Sequence, residues 1–271
     1  MTVDFHTHIF PEKIAERALQ NVLKNTPELT ASTDGTLKGL EQSCEKAGVD
    51  LSVVLPVATR AGQFDHMLEF AKYVNDNGKR VISFAGIHPD DEDIYGKLDR
   101  VKESGIKGIK LHPDFQATFV DDPKYVKIVK YAVESGLIVS FHAGIDFGLP
   151  DPVHCPADRA AKLINKVYEG NTDVQPQIVL AHLAGIDKPD EVRKHLVGLP
   201  VYFDLSFIID RADPNLIISL CREHGTDKIL FGSDSPWSDQ VKLATALRDM
   251  DFTEQEKRQI MGENAIKLLK I

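Results

Sequence analysis

Tryptophan occurs once and cysteine three times in the 271 residues. The chain carries no excess of basic residues, no low-complexity run and no long apolar stretch. Cys44, Cys155 and Cys221 are widely spaced, odd in number and form no Cys-x-x-Cys pair. That pattern excludes a disulfide framework and fits reduced thiols in a cytoplasmic protein. Lysine and arginine total 32 against 41 for aspartate and glutamate, a net charge of −9 with histidine neutral. A surface of that sign disfavours nucleic acid and anionic membranes as partners, while leaving room for a local basic pocket around a carboxylate substrate. No run approaches the roughly 20 apolar residues of a membrane span. The first strand begins by residue 3, so the reading allows no signal peptide before it.

What is present is an alternation. Eight short apolar segments read as strands: Val3–His8, Leu51–Val57, Val81–His88, Gly108–His112, Leu137–Ala143, Gln177–Leu183, Val201–Ser206 and Lys228–Ser233. Most are near-continuous runs of valine, isoleucine, leucine and phenylalanine, the pattern of parallel strands covered on both faces. Amphipathic stretches separate them. Asp122-Pro123, Lys188-Pro189 and Asp213-Pro214 place proline at a first helical position, and Thr253 with Glu256 forms a capping box. Eight βα alternations in a chain near the roughly 250 residues usual for such a fold predict one (β/α)8 barrel domain spanning residues 1–271. Two connections are unusually long. Residues 9–34 hold a helical stretch, Pro11–Lys24, read as a lid insertion, and residues 144–158 form a Gly- and Pro-rich loop after the fifth strand. Both are expected at the C-terminal face of the barrel, beside its chemistry.

The strand ends carry polar residues. His6 and His8, two apart on one strand, project to the same side and offer two imidazoles on a rigid edge. His88 ends the third strand, Lys110 and His112 lie on the fourth, His142 on the fifth and His182 on the sixth, and Asp234 follows the eighth. A closed parallel barrel brings all of these to one mouth. His66, His154, His195 and His224 fall in helices or loops and read as surface or cap histidines.

The segments Asp4–His8, Gly108–Pro113, Phe141–Gly144, Ala181–Gly185 and Phe231–Trp237 resemble the amidohydrolase superfamily. They are closest to its amidohydrolase-related branch, which includes aminocarboxymuconate-semialdehyde decarboxylase and related decarboxylases, lactonases and hydratases. The resemblance runs from residue 3 into the last helix. It implies His6, His8, His142 and Asp234 as metal ligands, with His182 beside them and Asp234 or His182 as the group that takes and returns a proton. Imidazole and carboxylate suit a divalent metal, with Zn2+ the first choice. Lys110 has two readings. Carboxylated, it would bridge two metals, with the strand-five and strand-six histidines on the second ion. Unmodified, it would be an ion-pair partner or a clamp for a substrate carboxylate, beside a single metal. The single-metal form is the one the Lys-Leu-His-Pro segment resembles more closely. Arg60, His88, His112 and Trp237 are placed to line the substrate site.

The function expected is a metal-activated water acting on an amide, lactone or ester-like bond of a small carboxylate-bearing molecule. A non-oxidative decarboxylase or hydratase using the same site is the first rival, and an inactive ligand-binding barrel the rival of another class. TatD-like nucleases share the first and last motifs but carry a glutamate where Lys110 stands, and histidinol-phosphatase-like barrels order their ligands differently. A homodimer is implied by the resemblance alone.

Overall fold

Each apolar segment forms a ladder over its central residues, and every pairing is parallel. In the computed structural model, which describes residues 1–271, the strands are β1 Val3–Thr7, β2 Leu51–Val54, β3 Val81–Ser83, β4 Ala85–Gly86, β5 Gly108–Leu111, β6 Ile138–Phe141, β7 Ile178–Leu180, β8 Tyr202–Asp204 and β9 Ile229–Leu230. β3 and β4 are one barrel strand interrupted at Phe84, whose amide donates to Val54 O. The strands run in sequence order around the ring. Closure falls between β9 and β1, where Phe5 N donates to Phe231 O at 2.8 Å and Thr7 pairs with Ser235. The chain is therefore a (β/α)8 barrel.

The helices are α1 Glu12–Asn25, α2 Leu37–Ala47, α3 Phe64–Asn77, α4 Ile94–Glu103, α5 Pro123–Glu134, α6 Ala157–Tyr168, α7 Pro189–His195, α8 Pro214–His224, α9 Gln240–Asp249, α10 Glu254–Arg258 and α11 Asn264–Leu269. α5, α7 and α8 start on the prolines named above, and Thr253 and Glu256 form the capping box of α10. A π-helical turn over Gln259–Glu263 joins α10 to α11. No helix is long and apolar enough to cross a membrane.

Two apolar layers follow from strand alternation. Outward-facing residues such as Val54, Ile109, Val139 and Phe203 pack under the helices. Inward-facing Val3, Phe5, Val53, Phe84, Ile138, Val179, Tyr202 and Leu230 fill the N-terminal half of the barrel, and Ala265, Leu268 and Leu269 of α11 close it from below. Two residues further along the strands the same faces carry Lys110, Ser140 and Asp204, all buried. The interior thus passes from hydrocarbon to polar groups toward the C-terminal mouth.

β1 departs from simple alternation. Asp4 pairs with Ser52 and Thr7 with Val54, so three steps on β1 oppose two on β2. This one-residue bulge decides where the histidines point. Asp4 faces outward, its Oδ2 accepting from Gln240 Nε2 at 2.8 Å at the start of α9. Strict alternation would send His6 out with it. Instead Phe5 and His6 both face the interior, Thr7 turns out to donate to Val53 O, and His8 returns inward. Gly232 supplies the room: a Cβ there would lie 2.9 Å from His6 Cβ and 3.0 Å from Ser206 Cβ.

The two long connections meet over the mouth. Ser32, at the end of the 9–34 stretch, donates through its amide to Pro236 O and through Oγ to Ser238 O. Thr26, just past α1, lies beside Gly148 of the 144–158 loop.

Candidate metal centre

Three ligand atoms from the two ends of the chain converge at the mouth. His6 Nε2 and His8 Nε2 are 3.2 Å apart, and Asp234 Oδ1 lies 3.4 Å from the first and 3.1 Å from the second. Donors about 2.1 Å from one ion stand roughly 3.0 to 3.4 Å from each other in octahedral or tetrahedral shells, so the spacing fits a divalent metal. The backbone sets this convergence: Asp234 N donates to His6 O at 2.8 Å and Ser233 N to Asp4 Oδ1 at 2.9 Å. Asp234 itself adopts a left-handed φ of 66°, which turns its carboxylate back over the barrel.

Behind the triad stands a residue absent from the sequence reading. Asp204, fully buried on β8, accepts from His6 Nδ1 at 2.9 Å through Oδ2. Its Oδ1 accepts from His182 N at 3.2 Å, Ser206 N at 3.0 Å and Ser206 Oγ at 2.5 Å. Ser206 Oγ also touches Nδ1 of both His6 and His182, at 2.9 and 3.0 Å. A carboxylate can only accept, so His6 carries its proton on Nδ1 and keeps a lone pair on Nε2, the form a metal requires. Asp204 and Ser206 sit two apart at the mouth end of an otherwise apolar strand. Their parity with Tyr202 was the signal available to find them.

Burial lowers the His6 pKa to about 4, helped by the Lys110 ammonium and opposed by Asp204. It also lowers Lys110 to about 8 against the pull of Asp204 and Asp234. For Asp204 and Asp234 burial pushes upward, but the surrounding histidines outweigh it and hold both carboxyls below their ordinary range. Lys110 Nζ lies 3.4 Å from His6 Nε2.

His182 does not continue the sixth barrel strand as expected. β7 stops at Leu180, and His182, Leu183 and Ala184 have φ of 56°, 51° and 58°, three successive left-handed residues. Consecutive left-handed L-residues are strained. The turn is held by His182 N on Asp204 and by Gly185 N on His182 O. It brings His182 Nε2 to 3.1 Å from His142 Nδ1.

His142, the fourth ligand the resemblance implies, ends β6 beside His182 and groups by distance with His112 and Asp146. Burial holds the pKa values of His112 and His142 well below the ordinary histidine range. Asp146, on the long loop, carries no periodic signal and was not anticipated. His88 binds its own turn, Nδ1 accepting from Asp90 N at 3.1 Å. Arg60 is exposed, and its side chain makes no hydrogen bond or ion pair. Trp237 stands edge-on to Phe10, ring centroids 6.5 Å apart, where the 9–34 stretch meets the loop after β9. Of the remaining histidines His224 is a packing residue, stacked on Phe203 at 3.9 Å rather than exposed.

The fold and this site define a class. The amidohydrolase family model matches residues 3–271, and the chain belongs to that family. No curated protein matches the chain. Among solved structures it resembles a dihydroxybenzoic acid decarboxylase from Polaromonas with bound manganese, at 17% identity over 99% of this chain and 96% of the other, TM-score 0.72. A 5-carboxyvanillate decarboxylase from Sphingomonas paucimobilis matches at 13% identity over 100% and 99%, TM-score 0.72. A protein described as a probable 2-pyrone-4,6-dicarboxylic acid hydrolase from Acinetobacter baumannii matches at 17% identity over 100% and 99%, TM-score 0.68.

Proposed function

We propose that this chain is a cytoplasmic metal-dependent hydrolase that opens a lactone, amide or ester-like bond in a small carboxylate-bearing molecule. The observation that carries the reading is the triad itself, with both of Asp234's contacts made by Oδ1. Its Oδ2 is left free to take a proton. His6, His8 and Asp234 would hold the ion, Zn2+ first among the candidates and Mn2+ an alternative suited by the neighbour that binds it. Bound there, a divalent ion supplies Lewis acidity, polarising a carbonyl and lowering the pKa of a water toward about 7.

The chain's own groups do the rest. Asp204 keeps the His6 lone pair facing the site. Asp234 Oδ2 receives the proton that water loses as its oxygen bonds to the acyl carbon, and returns it to the leaving oxygen or nitrogen as that bond breaks. His182, fixed by Ser206, is the second group placed to carry a proton. Lys110 offers a buried positive charge for a substrate carboxylate, and His112 and Trp237 line the approach. Residues 9–34, anchored to the loop after β9, act as the lid.

A second reading, non-oxidative decarboxylation on the same site, is favoured by the decarboxylases among the structural neighbours. There His182 would deliver a proton to the carbon that loses CO2. Solvent isotopes separate the two. Metal-loaded protein is incubated with carboxylate-bearing lactones and with hydroxylated aromatic acids. In H2 18O, hydrolysis places one labelled oxygen in the product. In D2O, decarboxylation places deuterium on the carbon that carried the carboxylate. Turnover that survives Asp234→Asn would refute both. Gel filtration tests the homodimer that accompanies this proposal.

A further inference from the structure

Resting on the reading of His182 as a proton carrier, we propose that Arg211 is its positioning residue. Arg211 holds Phe207 in a left-handed conformation, which aims the Ser206 carbonyl at Nδ1 of His182 and fixes the nitrogen that carries the proton.

Phe207 is strained. It lies three residues past β8 with a φ of 69°. For a bulky L-residue that region is unfavourable, because Cβ crowds the following carbonyl oxygen, and the surroundings must hold it there. φ at Phe207 is the torsion between the Ser206–Phe207 peptide plane and the chain beyond. That chain is fixed in a turn, the Arg211 and Ala212 amides both donating to Ile208 O at 3.0 Å. Relaxing φ to the ordinary negative region would therefore swing the peptide plane, and the Ser206 carbonyl with it.

That carbonyl is in use. His182 Nδ1 lies 3.0 Å from Ser206 O, which can only accept. Ser206 Oγ, 3.0 Å from the same nitrogen, gives its own proton to Asp204 Oδ1, so it too accepts. His182 thus carries its proton on Nδ1, and Nε2, 3.1 Å from His142 Nδ1, is the nitrogen left to accept one. The Phe207 ring stands edge-on to the His182 imidazole, 6.3 Å between centroids.

Arg211 supplies the hold. Its guanidinium lies over the Phe207 ring, 3.9 Å from the centroid, and Nη1 donates to Phe207 O at 2.8 Å. One side chain grips both the ring and the backbone of the strained residue. Nη1 also reaches Asp210 Oδ1 at 2.8 Å and Ser238 Oγ at 2.9 Å, and Asp210 is met from α9 by Lys242 Nζ at 2.7 Å. A surface ion pair would explain the contact with Asp210 and neither contact with Phe207.

The proton on His182 can be read directly. Full-length protein labelled with 15N-histidine and supplemented with Zn2+ is compared by long-range 1H–15N correlation, with His182 assigned from the spectrum of His182→Gln. Circular dichroism checks folding. Wild type is expected to show a protonated Nδ1 and a bare Nε2 at His182. Arg211→Gln should move the two nitrogen shifts toward each other as the second tautomer gains population, and Arg211→Lys, which keeps the charge and a donor, should move them less. Glycine adopts this φ without strain, so Phe207→Gly should show the wild-type pattern and keep it when Arg211→Gln is added. An unchanged pattern in folded Arg211→Gln would overturn the proposal. A shift of equal size with and without Phe207→Gly would overturn it too, since Arg211 would then act by another route. If Arg211→Gln does not fold, the double variant decides: folding with the wild-type pattern supports the proposal, and failure there as well makes Arg211 a stability residue only and overturns it. Zn2+ binding and isotope incorporation test the metal-dependent reading separately, and neither enters this readout.

Discussion

Replacing Asp204 by asparagine changes one atom in size and reverses one hydrogen bond. In the native protein Oδ1 gathers three donors, while Oδ2 serves His6 Nδ1 alone. The amide of asparagine will put its oxygen where three donors point and its nitrogen toward His6. His6 Nδ1 must then accept, so its proton moves to Nε2, the atom the metal needs. Partners of this kind, set behind a ligating histidine, are worth roughly 10- to 100-fold in metal affinity, or about 1.4 to 2.7 kcal/mol. The expected result is a weakening of Zn2+ binding in that range, measured by competition with a chromophoric chelator, in a protein whose circular dichroism is native. Ser206→Ala, which keeps the carboxylate, should weaken binding less. Unchanged affinity in folded Asp204→Asn would refute the tautomer argument and with it the role given to Asp204.

Three further outcomes follow from the packing. His224 accepts from Gly198 N at 3.2 Å and donates to Val201 O at 2.8 Å, and burial lowers its pKa to about 4. The unfolded chain takes this proton near pH 6.5 and the folded chain does not, so its contribution is complete above that pH and declines below it. About 2 kcal/mol of it is lost by pH 5, and urea midpoints at pH 7.5 and 5 should show a smaller fall in His224→Gln than in wild type. Gln116 donates to Ala58 O and Ile87 O, both at 2.8 Å, and accepts from His112 N and the Tyr125 hydroxyl. Gln116→Ala strands these groups and should cost about 3 kcal/mol by urea denaturation, and a loss under 1 kcal/mol would contradict the accounting. At Gly144, φ is 77° and an added Cβ would sit 2.4 Å from Gly185 Cα, whereas at Gly136, φ 85°, it would meet nothing within 4 Å. Gly136→Ala should cost about 1 kcal/mol and Gly144→Ala clearly more; equal losses in thermal unfolding would show that the crossing tolerates a methyl group.

The order of elements was legible because parallel strands buried on both faces are near-continuous apolar runs, and because the helix starts carry proline and a capping box. Strand ends were legible only to within a few residues. Polar residues at the mouth read as the last strand positions, yet the ladder stops before them: His88 belongs to a turn closed on Asp90 N, and His182 to a left-handed turn tied to Asp204. The triad of His6, His8 and Asp234 could be read because each member is a metal-ligand type at a strand end. Asp204 could not be read by that criterion, since its task is to hold another side chain, and only its inward parity marked it. Asp146 depends on the path of a loop, which no periodicity encodes.

The bulge in β1 carries a consequence for how this chemistry could be lost or transferred. All the ligands could be retained in composition and order, and the site would still vanish if β1 ran as a regular strand from Asp4 to His8. With Asp4 still facing the helices, strict alternation would carry His6 and His8 into the helical layer with it. Grafting this site onto another barrel would therefore require copying a counting error in the backbone along with the histidines.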